Sequence, residues 1–270
     1  GAPLPDPPPA GHLIPGSAAQ VDVTLLGRTR VNAPGVIEPE RVGLATELVA
    51  FLATHPGGVH PNVLAAAIWP RGVTREVRAA SLTRARDWLG TDGIGRPQLA
   101  TDASGRLRLG SQVRVDWQVF CALMARAAAG AGGPDEEGAL EQALSLVSGP
   151  FIDGREPGRY TWLAGDGLEY EAAAQVADAA HRLSLLRLAQ GDPGGAMDAS
   201  RAGLRLAFDD ELLWRDLLTA AHATGQEHLL RAVVAELCAR TALDEVLPRM
   251  APETEALIDE LLPSWRSSVG

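Results

Sequence analysis

The sequence predicts a mainly α-helical protein in two parts, the first combining short strands with three helices and the second consisting of helices alone. Two stretches with alternating apolar residues, VDVTLLGRTRV and RLRLGSQVRV, flank three helical patterns. From Trp117 onward the helical periodicity is almost continuous. With 270 residues, 46% of them hydrophobic, the chain is long enough to bury two ordinary cores.

Residues 1–20 differ from the rest in composition. Six prolines fall between Gly1 and Gly16, and no helical or strand period is present there. This composition predicts a Pro-rich linker or leader without a packed role.

The next part, residues 21–117, contains the elements of a winged helix in order. A strand pair turns at Gly27, and helices are predicted over Glu38–His55 and Pro61–Trp69. A basic helix follows at about Thr74–Trp88. A hairpin with Ser104-Gly105 at its tip comes last. Two helices joined by a short turn, the second one basic, are typical of a helix-turn-helix, and the hairpin would be its wing.

The basic helix is the candidate nucleic-acid contact. Its apolar flank is predicted to be formed by Val77, Ala80, Ser81, Ala85 and Trp88, with the arginines largely elsewhere. Trp69 and Trp88 are interpreted as core residues. The candidate DNA-binding residues are Arg75, Arg78, Arg84 and Arg86 on the helix and Arg106, Arg108 and Arg114 near the wing. The alternative is an ordinary solvated face on which these arginines pair with Glu76 and Asp87.

Residues 118–270 are predicted to form a tetratricopeptide-like helical domain. Helices are expected near 116–130, 135–148, 160–190, 194–206, 209–223, 226–240 and 252–262. Gly191 and Gly225 lie 34 residues apart, each between two predicted helices, and 34 residues is the tetratricopeptide period.

Charge is divided unevenly along the chain, whose net charge is −10. Residues 21–117 contain 12 arginines and 9 acidic residues, whereas residues 118–270 contain 12 arginines and 24 acidic residues. Only the first part could therefore attract a polyanion, and the two parts are expected to have different partners.

Enzymatic function is not indicated. The chain has no lysine, which excludes the usual phosphate-binding loop, and no nucleophile elbow. Cys121, Cys238 and the histidines lack metal-site spacing, so no metal, cofactor or catalytic residue is predicted. No secretory signal or membrane span is recognisable. We expect a cytoplasmic protein that makes no membrane contact itself, or the cytosolic part of a larger membrane-anchored protein.

The order of these motifs resembles the bacterial transcriptional activator domain of the Streptomyces antibiotic regulatory protein family, over about Val21 to Leu262. The most specific pieces are LATHPGGVH, Trp69-Pro70, Arg84 to Gly90 and GDPGGA. The resemblance implies a winged helix that binds direct-repeat promoter DNA. It also implies a tetratricopeptide-like domain that supports dimerisation or contacts to other proteins.

The sequence departs from this family around the basic helix. Only 19 residues separate Trp69 from Leu89, whereas the family has about three more, nearly one helical turn. Asp87-Trp88 stands where the family is more basic, just before the Leu-Gly, and Glu76 adds another carboxylate near the helix start. Carboxylates facing phosphates lower affinity. The chain also resembles a variant found in larger actinobacterial proteins with membrane segments and LysM repeats. That variant implies an alternative function, a protein-interaction scaffold that does not bind DNA.

Overall fold

The computed structural model describes residues 21–243, 250–263 and 265, so the leader over residues 1–20 lies outside the described residues. The chain divides into two compact units. The winged-helix unit comprises residues 21–122 and 152–168, and the helical unit comprises residues 123–151 and the described residues from 169 onward. The predicted fold class, a small winged helix with β hairpins followed by helical repeats, is confirmed.

The winged-helix unit begins with a three-stranded sheet. In chain order, its elements are β1 (Val21–Thr24), β2 (Arg30–Asn32), α1 (Pro39–Ala53), α2 (Pro61–Ile68), α3 (Arg75–Leu89), β3 (Leu99–Thr101), β4 (Leu107–Leu109), β5 (Val113–Val115) and the start of α4 (Asp116–Ala129). Strand β1 lies between antiparallel β2 and parallel β5. The Asp116 carboxylate accepts hydrogen bonds from the backbone nitrogens of Leu25 (2.8 Å) and Leu26 (3.0 Å), which ties α4 to the end of β1.

Helix α3 packs against α1 and β3. Its buried face contains Ser81, Leu82, Ala85, Trp88 and Leu89. The predicted apolar flank was right at Ser81, Ala85 and Trp88 and wrong at its start, because Val77 is 49% exposed and Ala80 is only half-buried. Leu82 and Leu89 bury more apolar surface than Val77 and Ala80 would, and this decides which way the helix faces.

The chain returns to the winged-helix unit over residues 152–168. Ile152 donates its backbone N–H to the Leu25 carbonyl (2.7 Å), and Thr29 donates to the Asp153 carbonyl (2.9 Å). The backbone N–H of Tyr160 donates to the buried Glu47 carboxylate on α1 (2.6 Å). The prediction of one helix over 160–190 is wrong at its start, because short α6 (Leu163–Asp166) ends at left-handed Gly167 before α7 (Leu168–Ala189) begins.

The helical unit consists of packed helices in sequence. After α5 (Pro134–Ser145) and α7 come α8 (Pro193–Leu204), α9 (Glu211–Ala223), α10 (Glu227–Leu243) and α11 (Pro252–Leu261). Gly191 and Gly225, with φ of 77° and 69°, follow the ends of α7 and α9 as the 34-residue spacing predicted. Helix α9 contacts α8, α10 and α11. Its buried side chains Leu217 and Leu218 lie at the centre of the core.

Candidate nucleic-acid interface

The start of α3 is set by a short connection from α2. Residues 69–74 link the helices, with Gly72 in the left-handed region at φ 85°. Thr74 caps α3, since its hydroxyl accepts a hydrogen bond from the backbone N–H of Val77 (3.4 Å). Helix α3 then runs for 15 residues, so the short spacing in the sequence leaves the candidate recognition helix four turns long.

The most outward positions of α3 carry no arginine. Glu76, Ala79, Thr83 and Asp87 are all exposed, and their spacing of three to four residues places them on one face. We call these four residues the outward stripe. It lies opposite the buried face, so a groove that received α3 would meet two carboxylates, a methyl group and a threonine first.

Three of the predicted arginines of α3, Arg75, Arg84 and Arg86, flank this stripe, whereas Arg78 lies on the side of the buried face, towards α2. Arg75 is exposed at the first position of the helix. Arg78 donates to the Asn62 side-chain oxygen on α2 (3.3 Å). Arg84 is half-buried beside α1, where it lines a shallow cleft. Arg86 donates to the Leu99 carbonyl on β3 (3.3 Å). A guanidinium has five donors, so the bonds of Arg78 and Arg86 leave others available to an outside acceptor.

None of these four arginines forms an ion pair within the part of the chain that the structure describes. Glu76 and Asp87, the carboxylates that the sequence offered as their partners, also have no ion pair among the described residues. The neighbours of Arg78 and Arg86 are neutral acceptors. The positive charge of α3 is therefore not neutralised within the winged-helix unit.

The wing is the β3–β4 hairpin, in which Thr101 pairs with Leu107. Asp102 holds its turn together, accepting hydrogen bonds from the Ser104 hydroxyl (2.6 Å) and from the backbone N–H of Arg106 (3.0 Å). Hydrogen bonds hold the pKa of Asp102 well below its ordinary value, and the one from the Ser104 hydroxyl has the largest effect. The Asp102 carboxylate also pairs with Arg108 Nε (2.7 Å).

The two predicted wing arginines thus differ in availability. Arg108 is paired with Asp102, whereas Arg106 has only a long hydrogen bond to the Gly58 carbonyl (3.5 Å) and is exposed. Arg114, on β5, lies 3.9 Å from Asp22. The structure adds Arg71, an exposed residue of the α2–α3 connection that the sequence did not single out, because a turn gives no periodicity from which to infer its orientation.

The described residues contain no group of three or more His, Cys, Asp or Glu side chains placed to hold a metal ion. None of the helices described has both the length and the apolar character needed to cross a bilayer.

The chain is similar in fold to a solved structure. No family model and no curated protein matches the chain. Among solved structures it is similar to Mycobacterium tuberculosis EmbR, solved in complex with a low-affinity phosphopeptide, with a TM-score of 0.62 and 20% identity. The similarity covers 93% of this chain and 68% of EmbR. At this identity the similarity shows the fold, and that fold is the winged helix followed by helices that the sequence motifs indicated.

Proposed function

We propose that this chain is a transcription-regulator module whose winged-helix unit binds duplex DNA. The observation that carries the proposal is the unneutralised charge of α3, where Arg75, Arg78, Arg84 and Arg86 have no ion pair among the described residues. Arginines that neutralise phosphates release condensed counterions, and this supplies most of the affinity of a protein for duplex DNA. Arg106 on the wing and Arg71 in the turn would add contacts to the backbone.

The net charge of the unit limits the affinity that this mechanism can give. Within residues 21–122 and 152–168 there are 14 arginines and 12 acidic residues. DNA binding through arginines depends on where the charges lie as well as on their sum. We therefore expect detectable binding at low salt that weakens steeply as salt is added.

The helical unit is proposed to contact a protein partner or a second copy of the chain. Its support is the resemblance to a module with that role and two exposed apolar side chains between the end of α8 and the first turn of α9, Phe208 (51% exposed) and Leu212 (39% exposed). Exposed apolar side chains favour burial against a partner. Both parts of the proposal assign the chain a non-enzymatic role in the cytoplasm, the compartment that contains the DNA.

The DNA-binding proposal is tested by titrating the chain against duplex DNA from upstream of its own gene at low and moderate salt. Arg75→Ala and Arg84→Ala are each expected to weaken binding by roughly tenfold and to make the dependence of log affinity on log salt shallower by about one, because one phosphate fewer is neutralised. The matched control is Arg201→Ala with Arg231→Ala, which removes the same kind of charge from the helical unit and should leave affinity nearly unchanged. Absence of binding by the unaltered chain at low salt would overturn the proposal.

A second function is favoured by the outward stripe. Glu76 and Asp87 lie at the two ends of the outward stripe, on the face of α3 that a DNA groove would receive, and their charges repel phosphates. In this alternative the chain is a protein-interaction scaffold, the excised part of a larger membrane-associated protein. It predicts that the unaltered chain binds no duplex at low salt and that the Arg75→Ala and Arg201→Ala variants behave alike.

A further inference from the structure

We propose that α3 reads cytosine through Glu76 and thymine methyl groups through Ala79 and Thr83, rather than guanine through an arginine. This inference rests on the proposed binding of duplex DNA and names the base pattern that the site would select. It starts from a feature that the candidate arginines do not explain, namely that the outward stripe of α3 is neutral or acidic along its length.

The position of Glu76 fits a base contact. In a helix-turn-helix, the N-terminal residues of the second helix reach the base edges in the major groove. Glu76 is the second residue of α3 and is exposed. Its carboxylate has no ion pair or hydrogen bond among the described residues. Asp87, at the other end of the stripe, lies three turns further on and would leave the groove.

The arginines occupy the places from which phosphates are reached. Arg75 and Arg86 flank the stripe on one side and Arg84 flanks it on the other, as their helical positions require. The two phosphate backbones run along the two edges of the major groove. Cations on both flanks of a helix can therefore neutralise both backbones while the middle of the helix faces the bases.

The chemistry of the stripe then limits which bases fit. An ionised carboxylate only accepts hydrogen bonds. In the major groove guanine presents two acceptors, so Glu76 is repelled by guanine, whereas cytosine presents the N4 amino donor. Ala79 and Thr83, one and two turns further along, carry methyl groups of the kind that contact the thymine 5-methyl group.

A purely structural role for Glu76 makes a different prediction. An acidic residue in the first turn of a helix is stabilised by the helix dipole, and this alone could account for a glutamate at this position. In that case replacement of Glu76 would change the stability of α3 and would leave the base preference of the chain as it was.

The test is a selection from duplexes randomised over a short window, carried out with the unaltered chain and two variants. The unaltered chain should enrich cytosine at one position. Glu76→Gln should change that preference to adenine, because a glutamine amide pairs with adenine N6 and N7. Glu76→Ala should lose the preference, with discrimination at that position falling roughly tenfold. Replacing thymine by uracil next to the cytosine should weaken binding of all three.

The matched control is Glu253→Gln, which makes the same chemical change in the first turn of α11 in the helical unit. It should select the same duplexes as the unaltered chain. Duplex binding with one base preference shared by the unaltered chain, Glu76→Gln and Glu76→Ala would overturn base reading by Glu76 and leave the proposed function standing. Failure of the unaltered chain to retain any duplex at low salt would remove the proposed function itself.

Discussion

The arginines of α3 and five arginines of the helical unit have different surroundings. In the helical unit, Arg182, Arg187, Arg201, Arg231 and Arg240 each lie against a carboxylate, with Arg187 held by both Glu137 and Glu141. On α3 of the winged-helix unit, four arginines have only neutral acceptors or none among the described residues. Because every basic residue of the chain is arginine, this difference comes from the surroundings and not from the residue type.

The difference separates two uses of positive charge. An arginine paired inside its own fold contributes to the stability of that fold, and its charge is largely cancelled for an outside partner. An arginine without a carboxylate contributes little to stability and keeps its charge available to a polyanion. Loss of a paired arginine in the helical unit should therefore lower stability, and loss of an arginine of α3 should lower DNA affinity. Variants of both kinds test this comparison.

The largest effect is expected for Arg240→Ala in the helical unit. Arg240 is 17% exposed, pairs with Glu211 (3.0 Å) and lies over the Trp214 ring (5.4 Å from its centroid). Its loss leaves Glu211 without a cation and removes packing from Trp214, which should lower the free energy of unfolding by about 1–3 kcal/mol. Denaturant unfolding measures this change.

The exposed pair on the same helix provides the control. Arg231→Ala removes an i,i+4 contact with Glu227 (2.7 Å), and such pairs contribute only about 0.3–0.5 kcal/mol. Equal destabilisation by Arg231→Ala and Arg240→Ala would show that burial of the pair does not matter. A change in DNA affinity in either variant would contradict the division of roles between the units.

A smaller effect is expected at Glu47 in the winged-helix unit, where a carboxylate is buried despite its arginine. Burial raises the pKa of Glu47, although the hydrogen bond from Tyr160 and the charge of Arg159 (3.5 Å) act to lower it. Between the ordinary pKa and the raised one, the folded protein keeps a proton that the unfolded chain has lost. The free energy of unfolding should therefore fall as pH rises through this interval.

Glu47→Gln should make that fall smaller, since an amide does not titrate and its oxygen can still accept from Tyr160. Burial also raises the pKa of Asp116 and of Asp216, so part of the fall should remain. Unfolding measured across a series of mildly acidic pH values gives the comparison. Glu40→Gln, an exposed residue in the first turn of the same helix, should retain the pH dependence of the unaltered chain. A pH dependence unchanged by Glu47→Gln would assign the fall to another group.

The smallest effect, with the opposite sign, is expected for Arg75→Ala. A cation at the first position of a helix opposes the helix dipole, and alanine is the better helix former. The variant should gain about 0.3–1 kcal/mol of stability while losing DNA affinity. Arg86→Ala, in the last turn and hydrogen-bonded to Leu99, should lose stability instead. A destabilised Arg75→Ala protein would mean that Arg75 has a structural partner.

Much of the winged helix could be predicted from the sequence because its signals are local. Gly27, Pro39, Thr74 and Ser104-Gly105 mark turns and helix starts within a few residues of where the structure has them. The face of α3 was harder to predict. Ala80 and Val77 fit the apolar pattern as well as Leu82 does, and only packing against α1 and β3 selects the larger side chains.

The return of the chain at residues 152–168 could not be predicted. Its contacts join residues more than 100 positions apart, such as Glu47 with Tyr160, 113 positions apart, and leave no period in the sequence. It also places Ile152 and Tyr160 at φ of 51° and 58°, a conformation that neither residue type favours. The sequence was enough to name the arginines that are candidate DNA contacts. The neutral acceptors of Arg78 and Arg86 could be identified only from the fold.

This return has a practical consequence for anyone who works with fragments of the protein. The chain passes between the units three times, after Ala122, Phe151 and Leu168. A fragment that ends after the wing would lack residues 152–168, which include Arg159 and Tyr160, the partners of Glu47. The Glu47 carboxylate would then be left without them. On the ribosome, the winged-helix unit is likewise incomplete until about 60 residues beyond the wing have emerged. Chain growth at roughly 5–20 residues per second makes that a delay of seconds.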